Sequence, residues 1–320
     1  MKNSMRNIWL FLLLSMIIFS CFSSSYAAPT KTYKVIILKF ATHPALDELE
    51  KNFIDSLKKR LANVDIKTLN SNGNPVSAKQ LAESASRSRI DLIVTLATPA
   101  TQAVAKTQSD IPLLYAAVAD PEGANVVLKR STGIQNAGSN IVKKALETII
   151  ALYPNAKRIG TIYNPTEQNS IFVQNLIKQQ CEAMNLNLEQ RTVSDPNQFQ
   201  EIVEQLSSKI DILYSANDNL VNKGALTIAT TAQALKLPFF IGELSAVSKG
   251  AVAGIGVEYS SMGQHLGELA YTILTRKSNE PLPPREAPPE PQFWLNMPVA
   301  KEIGLEVPKE IMNKAQVILK

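Results

Sequence analysis

Apolar residues in this chain fall into short continuous runs, separated by stretches whose apolar positions recur at helical spacing. The first run, residues 34–40 (Lys-Val-Ile-Ile-Leu-Lys-Phe), predicts a strand buried on both faces of a sheet. Leu46, Leu49, Phe53, Ile54, Leu57 and Leu61 then form one stripe of an amphipathic helix. Residues 65–69 predict a second strand, and the Asn-, Ser- and Gly-rich residues 70–75 a turn. Ser77-Ala-Lys-Gln80 reads as a capping box for a helix carrying Leu81, Ala82 and Ala85. Residues 91–97 predict a third strand that passes directly into a helix, with Thr98 as N-cap and Pro99 at the first helical position. Residues 112–118 predict a fourth strand. This alternation implies a parallel sheet with helices on both sides.

Residues 122–140, with Gly123, Gly133 and Gly138, are less regular and predict a connection out of this lobe. The plan then repeats. Strands are predicted at 158–163, 186–191, 210–214 and 238–242, each followed or preceded by an amphipathic stretch. The tail adds a strand at 251–257, a helix at 261–274, an exposed proline-rich stretch at 278–291 and a last strand at 292–296. Such short excursions suit a chain crossing back between two lobes. With 320 residues and 45% hydrophobic content, two domains of ordinary size are expected.

The first 27 residues are expected to be a secretory leader: Lys2 and Arg6, an apolar run, then Ser25-Tyr26-Ala27 as a cleavage site. A rival reading is a lipid anchor at Cys21, because Ile18-Phe19-Ser20-Cys21 loosely resembles a lipoprotein box. After cleavage at Ala27 only Cys181 remains, which excludes an internal disulfide and predicts a buried, inert thiol on a helix. The formal charge of +5 includes Lys2 and Arg6, and the remaining basic residues are interspersed with acids, so no nucleic-acid surface is indicated. Lys58-Lys59-Arg60 belongs to the solvated face of the first helix.

Chemistry concentrates at strand ends. His43-Pro44, Thr98-Pro99, Asp120-Pro121 and Asn164-Pro165 each place a polar residue before a proline, and Asn217-Asp218-Asn219 and Gly242-Glu243 close two further strands. In facing α/β lobes these ends would meet in one cleft, the usual ligand position in open sheets. Helix N-termini and the Thr98 hydroxyl suit a carboxylate, and Asp120, Asp218 or Glu243 an ammonium group, together a zwitterion such as an amino acid. The same residues also read as helix caps and turn formers, and Tyr115 and Tyr163 as core rather than cleft wall. Only His43 and His265 are present, and no metal spacing, Gly-x-Ser-x-Gly elbow or phosphate loop occurs, so neither a metal, a cofactor nor catalysis is expected.

The motifs His43-Pro44-Ala45-Leu46-Asp47, Ala97-Thr98-Pro99-Ala100, Ala117-Val118-Ala119-Asp120-Pro121, Tyr163-Asn164-Pro165-Thr-Glu167-Gln-Asn169-Ser170, Asn217-Asp218-Asn219 and Gly256-Val257-Glu258-Tyr259 occur in this order. In them the chain resembles the periplasmic substrate-binding proteins of ABC importers, in the branch with tryptophan- and tyrosine-binding members. The resemblance implies two Rossmann-like lobes with parallel sheets, type I-like, joined by three hinge crossings. It divides the chain into 30–136 plus 257–289 as one lobe and 137–256 plus 290–320 as the other. It further implies a ligand held by Thr98, Asp120, Asn164, Glu167, Asn169, Ser170, Asp218 and Glu243, a monomer in the periplasm, and a permease with its ATPase as partners. A ligand sensor or an exported α/β enzyme is the alternative. The chain departs from the family at Ala119, Asn217 and Leu244-Ser245, where the family usually has Thr, Thr and Glu-Gly or Gly. All three departures lie at the expected pocket.

Overall fold

The computed structural model describes residues 31–320. The expected leader and Cys21 lie outside them. Strand β1 (Tyr33–Lys39) leads into helix α1 (Pro44–Arg60), whose stripe of Leu46, Leu49, Phe53 and Leu57 is fully buried. Burying each of these side chains contributes about 1.5–3 kcal/mol. Strand β2 (Val64–Asn70), helix α2 (Pro75–Ser86), strand β3 (Leu92–Leu96), helix α3 (Thr98–Ala105) and strand β4 (Leu113–Val118) follow in strict alternation. Helix α2 starts earlier than its sequence signal. Asn74, not Ser77, is the cap, accepting from the Val76 and Ser77 amides, with Pro75 as the first helical residue.

The irregular region predicted at 122–140 contains a fifth strand, β5 (Ser131–Gln135), paired in parallel with β4. Its sequence, Ser-Thr-Gly-Ile-Gln, holds one large apolar residue, so no hydrophobic run announced it. The sheet order is β2-β1-β3-β4-β5.

The second series comprises α4 (Ser139–Leu152), β6 (Arg158–Tyr163), α5 (Gln168–Ala183), β7 (Asn187–Thr192), α6 (Phe199–Ser207), β8 (Ile212–Ser215), α7 (Asn219–Ala234), β9 (Phe239–Ile241) and β10 (Ala253–Gly256). A 3-10 turn, Pro196–Gln198, precedes α6, and another, Leu244–Lys249, follows β9. The second sheet runs β12-β11-β10-β9-β8-β6-β7. Its first five strands in chain order repeat the order of the first sheet. Strands β11 (Gln292–Asn296) and β12 (Val317–Leu319) extend it, β11 pairing antiparallel with β10. Cys181 on α5 is buried and free, and burial pushes its thiol up to about 11, which leaves it inert.

The chain passes between the sheets three times: after β5, after β10 and before β11. After the second passage, helix α8 (Tyr259–Thr275) packs on α1 of the first lobe. Gly263 and Gly267 make that contact close. A Cβ at Gly263 would lie 2.4 Å from the Leu49 carbonyl oxygen, so only glycine permits this approach. The proline-rich stretch is not merely an exposed linker. Glu286 exchanges backbone hydrogen bonds with Gly133 and Gln135, and so covers the free edge of β5. No helix among the described residues is long and apolar enough to cross a membrane.

Candidate functional site

In both sheets the strand order reverses between the first and third strands of the series, β1 and β3 in one and β6 and β8 in the other. Loops leaving adjacent strands at such a point diverge to opposite faces and open a crevice beyond the carboxyl ends. The two crevices face each other. Between them lies a cleft of about 940 Å³, with Phe40 and Thr42 after β1 on one side and Asn164, Glu167, Asn219 and Leu220 on the other. That is the size of a small-molecule site.

The second-lobe wall is built as one hydrogen-bonded unit. Pro165 ends the extended run, and the Asn164 side-chain oxygen accepts from the Thr166 amide and hydroxyl, forming a tight turn. Asp218 ties this turn to the end of β8. Its Oδ1 accepts from the Leu220 and Val221 amides at 2.8 and 2.9 Å, and its Oδ2 from the Asn164 amide and the Ser170 hydroxyl, both at 2.7 Å. Asn164 Nδ2 in turn donates to Glu167 Oε1 at 3.0 Å.

Asn219 and His43 link the walls. Asn219 Nδ2 donates to Glu167 Oε2, which leaves the Asn219 carbonyl oxygen facing His43 Nε2 at 3.3 Å across the cleft. Burial raises the Glu167 carboxyl to about 7, with the nearby Asp218 charge adding to it, and lowers His43 to about 4. Two more bonds cross between lobes: Gln168 Nε2 to Asp120 Oδ2 at 3.3 Å, and Asn217 Nδ2 to the Asn136 carbonyl at 3.2 Å. The lobes are thus latched together. Asn219→Ala removes the His43 bond, one of these three that cross, and is expected to weaken closure by about 1 kcal/mol. Small-angle scattering on the ligand-free protein should show an increased radius of gyration, and an unchanged radius would mean the latch lies elsewhere.

Of the eight residues expected from sequence, Asn164 and Glu167 line the large cleft, and Asn169 and Asp218 line a small chamber behind it. Ser170 reaches Asp218. Thr98 is not a cap: helix α3 begins with it, after Ala97 at φ 81°, and its buried hydroxyl oxygen accepts from the Ala119 amide at 3.4 Å. It stiffens the wall rather than facing the cavity. Asp120 accepts from the Gly123 amide and from Gln168. Glu243 is occupied within its own turn, accepting from the Ser245 amide and hydroxyl, and burial raises its pKa. Tyr115 is fully buried, as core. Three residues of the chamber were not singled out from sequence: Asn136, Asn222 and Tyr259. Tyr259 stands in a quoted motif, and Asn222 follows its helix cap, Asp218, by one turn. Asn136 follows the unpredicted strand and had no such signal.

Comparison with known proteins places the chain in a family. The family described as ABC transporter substrate binding protein matches residues 34–318. A tyrosine-binding protein of Clostridioides difficile is 30% identical over 265 residues, covering 79% of this chain and 76% of that protein. A Streptococcus pneumoniae ABC domain solved in complex with L-Trp superposes with a TM-score of 0.84 at 28% identity, covering 90% of this chain and all of that one. The ligand-free, open structure of a Clostridium difficile substrate-binding protein with adhesive properties gives 0.67 at the same identity and coverage. The family binds ligands and is not enzymatic. The chain belongs to the ABC transporter substrate-binding proteins.

Proposed function

We propose that this protein, exported to the periplasm, captures an aromatic amino acid between its lobes and presents the closed form to a membrane permease and its ATPase. The carrying observation is the lobe arrangement. At equal identity and coverage it matches the relative holding L-Trp far better than the open, ligand-free one. Sequence divergence does not account for that difference. The closing bodies are taken as 30–136 with 257–289 and 137–256 with 290–320. The pairing of Glu286 with β5 and the packing of α8 on α1 support this division. Asn164, Glu167, Asn169, Ser170 and Asp218 are taken as the second lobe's polar frame, with Thr98 and Asp120 opposite. Glu243 buttresses the frame through its turn. Phe40 and Leu220 offer apolar contact to an aromatic ring. Ligand bridging both lobes favours the closed state through its differential affinity.

Calorimetric titration and thermal unfolding with L-tryptophan, L-tyrosine and L-phenylalanine test this, with L-leucine and glucose as controls. A ligand at a hundred times its Kd should add about 2.7 kcal/mol of stability. Absence of binding by all three aromatic amino acids would overturn the reading.

A further inference from the structure

Behind the large cleft, at the lobe junction, lies a small chamber of about 10 Å³, space for one water-sized group. Asn136, Asn169, Asn217 and Asn222 line it, and the side-chain oxygen of every one is buried without a hydrogen-bond partner. Such orphans are rare, and four around one chamber call for a common donor. The orientation of Asn217 is set. Asn217 Nδ2 donates to the Asn136 carbonyl, which can only accept, so Asn217 cannot be turned over. Asn169 Nδ2 donates at 3.3 Å to the Ser170 hydroxyl, whose own proton goes to Asp218, and Asn136 Nδ2 donates to the Tyr259 hydroxyl at 2.9 Å.

A water molecule supplies two protons to these acceptors, whereas a primary ammonium supplies three and adds charge attraction. The carboxylate of Asp218 lines the same chamber but already accepts four hydrogen bonds, so it offers countercharge rather than a free contact. Asn219 lines both the chamber and the large cleft, which makes the two spaces neighbours.

We infer that this chamber receives the ammonium group of the ligand, held by neutral amide oxygens with Asp218 supplying charge behind them. The inference rests on the amino-acid reading above and reassigns the ammonium contact. Sequence pointed to a carboxylate of Asp120, Asp218 or Glu243. The free acceptors belong instead to four asparagines, Asn136 at the first crossing and Asn169, Asn217 and Asn222 on the second-sheet loops and helices.

The test is a double-mutant cycle read by calorimetry or by competition. L-tryptophan and indole-3-propionate, which lacks the ammonium group, are bound to the wild-type protein, to Asn222→Leu and to Asn169→Leu. Wild type should prefer L-tryptophan by roughly 100-fold, and each variant should lose about 10-fold of that preference while holding indole-3-propionate nearly as before. The two variants sit on different helices, so misfolding of one leaves the other to decide. Equal losses for both ligands, or no wild-type preference, would overturn the assignment. So would a requirement for potassium when it is exchanged for choline, which would place an inorganic ion in the chamber. A wild-type protein that binds none of the aromatic amino acids would instead remove the underlying functional reading, a different and recognisable failure.

Discussion

Replacing Glu167 by glutamine is expected to stabilise the ligand-free protein by about 3 kcal/mol near pH 8 and by less than about 1 kcal/mol near pH 5. Glu167 titrates at about 7 because burial disfavours its charged form and Asp218 repels it. Between the ordinary value of 4.5 and about 7, the native state holds a proton that the unfolded chain has released. Stability therefore falls as pH rises through that window. One pKa unit corresponds to ~1.4 kcal/mol, which sets the scale of the loss once both states are ionised. Glutamine carries no charge to bury, so the variant escapes it.

His43 acts with the opposite sign. Its pKa is lowered from 6.5 to about 4, so below 6.5 the unfolded chain takes up a proton that the native state refuses. Its contribution is lost as pH falls toward 4. Where the two windows overlap, their slopes oppose each other, and above about pH 6.5 Glu167 is the one of the two that acts. Calorimetric unfolding of wild type and Glu167→Gln across this range measures both arms. A wild-type stability that does not change between about pH 6 and pH 8 would contradict the assignment.

Gly256→Ala is expected to cost about 3 kcal/mol and to weaken ligand binding as well. Gly256 ends β10 immediately before the second crossing, beside Gly242 at the end of β9. A Cβ there would lie 1.9 Å from the Gly242 carbonyl oxygen, and both partners are backbone, so no side chain can rotate away. The strand ends must part instead. Gly242 itself lies against Ala216 and Asn217, so the displacement would reach the chamber wall. Gly138→Ala is the control: its backbone is extended, and a Cβ would meet only Pro288 at 3.4 Å. Its expected cost is under about 1 kcal/mol. Urea unfolding of both variants, with titration of L-tryptophan, checks the pair. Equal costs would show that the strand ends tolerate separation.

The latch also explains why the departures at Ala119, Asn217 and Leu244-Ser245 matter unequally. Asn217 bridges to Asn136 and lines the chamber, so it changes both closure and recognition. Ala119 lines the chamber and donates its amide to Thr98, a backbone role that any residue can fill. Ser245 satisfies Glu243 within one turn and keeps that carboxylate from the cleft.

Local periodicity determined most of this architecture. Runs such as Leu92–Leu96 and the stripe of α1 announce strand and helix because burial on two faces, or along one stripe, needs that spacing whatever the surroundings. Strand ends carrying polar residues before proline likewise pointed to the cleft. Strand β5 escaped because its small polar residues are buried by sheet pairing rather than by their own hydrophobicity. Thr98 looked like a cap because its oxygen suits one, yet the positive φ of Ala97 moves the helix start and turns that oxygen toward Ala119.

The chain by itself thus determined two α/β lobes, their order and the edge at which they meet. Tertiary structure alone decided which polar atoms there remain free. Asp120, Asp218 and Glu243 carry the charge that sequence reading values, but folding surrounds each with donors. Asn136, Asn169, Asn217 and Asn222 are unremarkable in sequence and left with bare oxygens in space. Charge is a property of a residue, whereas an unsatisfied hydrogen bond is a property of its neighbours, and those come together only when the lobes close.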